Sequence, residues 1–110
     1  MAFAVSVVKL TEGLPNRKAF NHLGGQLLRS GTAPALIYGE AQAAESDKDF
    51  LHKIKLVLKE LRETQVGLKI MMKLSPPGTQ LPMGEVLGEC SELVAIFTAS
   101  VKKVKAKAPK

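Results

Sequence analysis

Apolar residues recur at steps of three and four between Ser46 and Met72: Phe50, Ile54, Val57, Leu61, Leu68 and Met71, with Thr64 in the place left between Leu61 and Leu68. Leu51, Leu58 and Met72 widen the stripe, while Lys53, Lys55, Lys59, Arg62, Glu63 and Lys69 take the opposite face. This spacing predicts a long amphipathic helix, spanning roughly 40 Å at the usual helical rise. Ser46 is placed to cap its first free amides, and Asp49, three residues on, to complete a capping box. Ser75-Pro76-Pro77-Gly78 ends it, because two prolines remove backbone donors. A helix of that length with one apolar face needs neighbours.

Residues 2–12 hold Phe3, Val5, Val7, Val8 and Leu10, which alternation and β-branching would assign to a strand. A lone strand has no sheet to join, so a short first helix ending before Leu14-Pro15-Asn16 is the better reading. Asn16 is a candidate cap for a second helix, with Phe20, Leu23, Leu27 and Leu28 inward and Arg17, Lys18, Gln26 and Arg29 outward. Gly24-Gly25 weakens this segment and offers close backbone approach. Pro34 predicts a kink or short break at residues 30–34, after which Ala35 to Ala41 resume a helix toward Ala43 or Ala44. One bent helix and two offset helices both satisfy this pattern. A last helix is expected from about Gly84, with Val86, Leu87, Cys90, Leu93, Val94, Phe97, Val101 and Val104 in rhythm. The sum is an all-α, antiparallel up-and-down four-helix bundle with a short first helix and a bent second one. The bundle domain is expected over residues 1–104 and a flexible lysine-rich tail over 105–110.

Composition fits that picture. At 110 residues the chain has the size of one domain; it is 45% hydrophobic but only 5% aromatic and has no tryptophan, so its core must be mostly aliphatic. The single cysteine rules out an intrachain disulfide framework and agrees with a reducing compartment. No apolar run is long enough to span a membrane, and the first residues lack the basic region of a secretory signal. A cytoplasmic protein without membrane attachment is therefore expected. The net charge is +6, yet residues 1–101 carry 11 basic and 10 acidic side chains. Lys102, Lys103, Lys105, Lys107 and Lys110 supply the rest. A basic end of this kind attracts phosphate backbones without a defined fold, and serves equally to keep a chain solvated.

Candidate chemistry is sparse. His22 and His52 form no metal-ligand pair, and no cysteine pair has zinc spacing. Cys90 falls on an apolar helical face, as a buried thiol acting as a small hydrophobe would. Glu40 follows the Pro34 break, and Glu60 and Glu63 lie midway along the long helix, where an interhelical hydrogen bond or ion pair is expected. A di-iron site would need four acids and paired Glu-x-x-His segments, which are absent. Gly24-Gly25 and Gly31 do not make a phosphate loop, and Tyr38, the one tyrosine, belongs to no aromatic ladder for stacking bases. Neither enzymatic activity nor a cofactor is expected. Arg17, Lys18, Arg29, Lys53, Lys55 and Lys59 are candidates for a basic surface together with the terminal lysines.

Five strings are more specific than periodicity: Gly25-Gln26-Leu27-Leu28-Arg29-Ser30-Gly31-Thr32; Tyr38 with Glu40-Ala41; Ala44-Glu45-Ser46 with Asp49-Phe50; Leu58-Lys59-Glu60 with Glu63-Thr64; and Glu92-Leu93 with Ala95-Ile96-Phe97-Thr98. In content and order the chain resembles, from about residue 16 to residue 104, the bacterial four-helix bundle family whose founding members are encoded in intervening sequences of large-subunit ribosomal RNA genes. A related branch looks like the accessory variability proteins of diversity-generating retroelements. The resemblance implies a bundle that assembles as a ring-like pentamer, no established enzyme activity and, for the related branch, association with reverse transcriptase and nucleic acid. It places Arg29, Glu40, Glu60 and Glu63 at the family's recurrent charged positions. The chain departs from the pattern at Ile37, where asparagine is common, at Ala35, where glycine or proline is common, and at Gly67, where an aromatic ring is common. The expected function is a non-enzymatic oligomeric scaffold binding RNA or DNA non-specifically; the alternative is a protein-interaction module, docking an unidentified partner without nucleic acid.

Overall fold

A computed structural model describes residues 2–107, in which four helices run antiparallel: α1 (Ala2–Glu12), α2 (Lys18–Gln42), α3 (Asp47–Leu74) and α4 (Leu81–Lys107). α2 packs along α3 and α3 along α4, while α1 lies on α2 and touches α4. The bundle is 50 Å long and 20 Å across. No strand occurs among the described residues.

The apolar stripe of α3 is the spine of the core. Ile54, Val57, Leu61, Thr64, Leu68 and Met71 are fully buried, each apolar side chain contributing about 1.5–3 kcal/mol by leaving water. Ser46 caps the helix, its side chain accepting from the Asp49 amide at 3.1 Å. Only this half of the expected capping box forms among the described residues, the Asp49 side chain being one carbon shorter than that of glutamate. The far end stops at Ser75, whose hydroxyl turns back to donate to the Met71 carbonyl at 2.8 Å.

In α1 the helical reading prevails over alternation: Phe3 and Val7 are buried and Leu10 packs against them, while Val5 is exposed. The close approach expected at Gly24-Gly25 occurs mainly at Gly31 instead, where a Cβ would stand 2.6 Å from Val7 Cγ1. Gly24 comes near Leu14, whereas Gly25 faces open space.

α2 is one bent helix, continuous through Pro34, not two offset segments. The proline ring removes the bond to the Ser30 carbonyl and crowds that turn, and the Thr32 hydroxyl loosens it further by donating to the Leu28 carbonyl at 2.7 Å. Burial of Pro34 against the core holds the helix together across the defect.

Four local expectations need correction. Asn16 does not cap α2: its side-chain oxygen accepts from Asn21 Nδ2 at 3.0 Å, and Arg17 takes the cap position without a side-chain bond. Leu28 points outward, 41% exposed, because Gly31 admits α1, and Gly24 the following Leu14, to a neighbouring face of the helix. α4 begins three residues before Gly84, since Pro82 stands in the first turn, where its missing N–H is not needed. α4 also runs through Lys105 and Lys107, taking in the first half of the segment expected to be a flexible tail; cations there sit favourably against the free carbonyls of a helix C-terminus. Lys110 lies outside the described residues.

Candidate nucleic-acid interface

The basic residues fall into three groups. The first is neutralised. Arg29 on α2 reaches across to α3, where Nη1 donates to Glu60 Oε1 at 3.0 Å and Nη2 donates to Glu63. The hydrogen bond and charge of Glu60, then those of Glu63, push the Arg29 guanidinium further up from its already high value. Lys53 pairs with Glu40 at 3.2 Å. Beneath these pairs the buried Thr64 hydroxyl meets Ser30 Oγ at 2.8 Å and the Glu60 carbonyl at 2.9 Å. Glu40, Glu60 and Glu63 thus tie α3 to α2, and Arg29 and Lys53 face acids of their own chain.

The second group is remote. Arg17 stacks over the Phe20 ring, 5.7 Å from its centroid, and Lys18 follows at the first turn of α2. Antiparallel packing sets this turn at the opposite end of the 50 Å bundle from the end of α4.

The third group is exposed and among the described residues makes no ion pair. Lys55 belongs to a series, Lys48, Lys55, Arg62 and Lys69, that repeats every seven residues and so draws one line along α3. Gln65 marks where that line runs: its Nε2 donates to Ser91 Oγ on α4 at 3.1 Å, and Arg62 and Lys69 lie three before and four after it, on the same side of the helix. Lys59 adjoins the line. On α4, Lys102 comes three turns after Ser91, on the face toward α3, and Lys105 one turn later. The outer α3–α4 edge is thus a ribbon of cations, about 10 Å apart along α3 and about 4.5 Å apart along α4. Lys103 and Lys107 project from a different side of α4. Lys48, Arg62 and Lys69 were absent from the sequence-based candidates, although their seven-residue repeat is a signal that could have found them.

This ribbon can neutralise phosphates; its amide, Gln65, is engaged by Ser91, and among the described residues it carries no array of amides for reading bases. His22 and His52 are exposed, and no group of three His, Cys, Asp or Glu among the described residues is placed to hold a metal. Cys90 is fully buried, donates to the Leu61 carbonyl at 3.2 Å, and is pushed up to about 11 by burial, so the thiol is neutral and shielded. No helix among the described residues is long and apolar enough to cross a membrane.

Beside Gly67, a groove of about 390 Å³ opens between α2 and α3, lined by Leu23, Gln26, Val66 and Ile70. α3 passes Gly67 without interruption. Leu68 and Met71 fill the core side, and the space on the glycine side stays open.

No protein-family model matches the chain, and no curated protein does. Among solved structures, the chain is similar to a protein of unknown function from the S23 ribosomal protein family of Bacteroides thetaiotaomicron, with 29% identity and a TM-score of 0.83 over 92% of this chain and 93% of that one. The chain is therefore a four-helix bundle resembling an uncharacterised bacterial protein of that family, with the similarity spanning nearly its full length.

Proposed function

We propose that this chain is a non-enzymatic, oligomeric scaffold that binds RNA or DNA without sequence preference, acting in the cytoplasm. The observation that carries the binding clause is the ribbon Lys48, Lys55, Arg62 and Lys69 with Lys102 and Lys105 beside it, which makes no ion pair among the described residues, whereas Arg29 and Lys53 face acids across the α2–α3 edge. Cations held on rigid helices attract a phosphate backbone by counterion release and leave the bases unread. The sequence resemblance to the intervening-sequence family and to the retroelement accessory proteins supports the oligomeric clause, a pentameric ring being the assembly it implies.

Affinity for unrelated RNA and DNA duplexes, measured by fluorescence anisotropy across a salt series, tests the binding clause. Similar affinities for all sequences and a steep fall with salt are expected; no binding at low salt would refute it. A second reading, a protein-interaction module without nucleic-acid binding, draws on an apolar groove between α1, α2 and α4. Partner capture that survives nuclease treatment, in a protein that fails the anisotropy test, would favour that reading.

A further inference from the structure

The groove between α1, α2 and α4 has a chemistry that the rest of this basic chain does not share. α1 is 11 residues long and packs more closely on α2 than on α4. Where it passes α4 it presents Ala2 and Ala4, which are too small to fill the space, and a slot of about 420 Å³ stays open. The fully buried Leu61 of α3 lies at its floor, with Phe3 and Pro34 buried beside it. The Tyr38 and Phe97 rings meet edge to face at its end, 5.6 Å between centroids. Its volume falls within the roughly 300–1,000 Å³ typical of small-molecule sites, which likewise combine an apolar lining with a few polar groups.

Only two charged side chains line this slot, and both are carboxylates: Glu89 and Glu92, three residues apart and so on one side of α4. Among the described residues neither makes an ion pair. Lys9, the one cation of α1, lines a different groove with Arg17. Arg29 is held by Glu60 and Glu63, and α4 has no lysine or arginine before Lys102. A chain of net charge +6 thus keeps an acidic rim over an apolar slot.

We propose that the slot binds a small organic cation, with an apolar or aromatic body seated over Leu61 between α1 and α4 and an ammonium group at Glu89 and Glu92. Leaving water supplies the attraction for the body. The carboxylates set the selectivity: an anion of the same shape would meet two like charges, and a neutral molecule would forgo the ion pair. The site is separate from the cationic ribbon on the α3–α4 edge and does not depend on the nucleic-acid reading. It shares its groove with the protein-interaction reading, and a peptide in the test separates the two.

Isotope-labelled full-length protein is titrated with phenylbutylammonium, phenylbutanol and phenylbutanoate, which share one hydrocarbon body and differ in the charge of the end, and amide chemical shifts are followed. The ammonium probe is expected to shift the amides of Ala4, Tyr38, Glu92 and Phe97 and to bind roughly tenfold more tightly than the alcohol, with the carboxylate weakest. Glu89→Gln with Glu92→Gln removes the charge from the rim; it is expected to bring the ammonium probe to the level of the alcohol and to leave the alcohol unchanged. Ala4→Leu fills the slot and is expected to weaken all three, with circular dichroism checking helicity; should that variant lose its helices, the glutamine pair decides. No binding of the ammonium probe at millimolar concentration, equal affinity for the ammonium and carboxylate probes, shifts confined to other surfaces, or a glutamine variant with unchanged preference overturns the site. So does a basic, apolar peptide that shifts these amides where the small ammonium does not, an outcome that would favour the protein-interaction reading.

Discussion

The two long edges of α3 carry similar numbers of charged residues and use them in opposite ways. On the α2 edge, Glu60 and Glu63 meet Arg29, Lys53 meets Glu40, and the Ser30–Thr64 hydroxyl pair lies buried beneath. On the α4 edge, Lys48, Lys55, Arg62 and Lys69 face outward and make no ion pair among the described residues, and the helices are joined by apolar packing, the Cys90 thiol and one Gln65–Ser91 bond. Charge therefore positions helices on one side and is left available to a ligand on the other. Counting lysines along the helix does not separate these roles; the acids of the neighbouring helix do.

The contrast is broken most decisively through binding. Lys55→Glu, Arg62→Glu and Lys102→Glu together should lower nucleic-acid affinity on the order of a hundredfold or more and flatten its salt dependence, because phosphate contacts dominate such complexes. Arg29→Ala with Lys53→Ala, which removes one positive charge per site from the paired edge where each reversal changes the charge by two, should leave affinity within about threefold in the same anisotropy titration. Equal losses in both variants would erase the distinction.

The next effect concerns the thiol on the α4 edge. Burial pushes Cys90 up to about 11 from its ordinary value of 9.0, so the unfolded chain loses this proton at lower pH than the folded one. Its contribution is fully present below pH 9 and is lost as pH rises to about 11, up to about 2 kcal/mol. Urea melts of the native chain and Cys90→Ala through that window check it, the variant lacking this part of the fall. On the α2 edge, Thr64→Val strands the Ser30 hydroxyl in the core and should cost about 1–2 kcal/mol in the same melts. The smallest change has the opposite sign. Gly67→Ala should stabilise by about 0.5–1 kcal/mol, because a Cβ there meets nothing within 4 Å.

Much of this was legible from residues alone, and the misses have physical causes. The α3 stripe could be read because a helix of 28 residues repeats its pattern often enough to fix a face. Asn16 and Leu28 were misplaced because a cap depends on where one chain reversal closes, and an inward face on where α1 crosses. Pro34 and Pro82 show the same amino acid with different outcomes: one bends a helix that burial holds together, the other opens a helix at a position that needs no amide. Of the polar residues, Glu40, Glu60 and Glu63 could be singled out by position, but their partners lie 13 to 34 residues away in the chain.

By itself the sequence determined the helical class, the length and buried face of α3, its Ser46 cap and the concentration of lysines at the end, because each follows from local spacing and backbone chemistry. Only the tertiary structure decided which cations remain free, that α2 stays continuous through Pro34, that Gly31 rather than Gly25 admits α1, and that the space beside Gly67 stays open. Those outcomes depend on what the neighbouring helix presents at the same height, and a one-dimensional pattern carries no record of that.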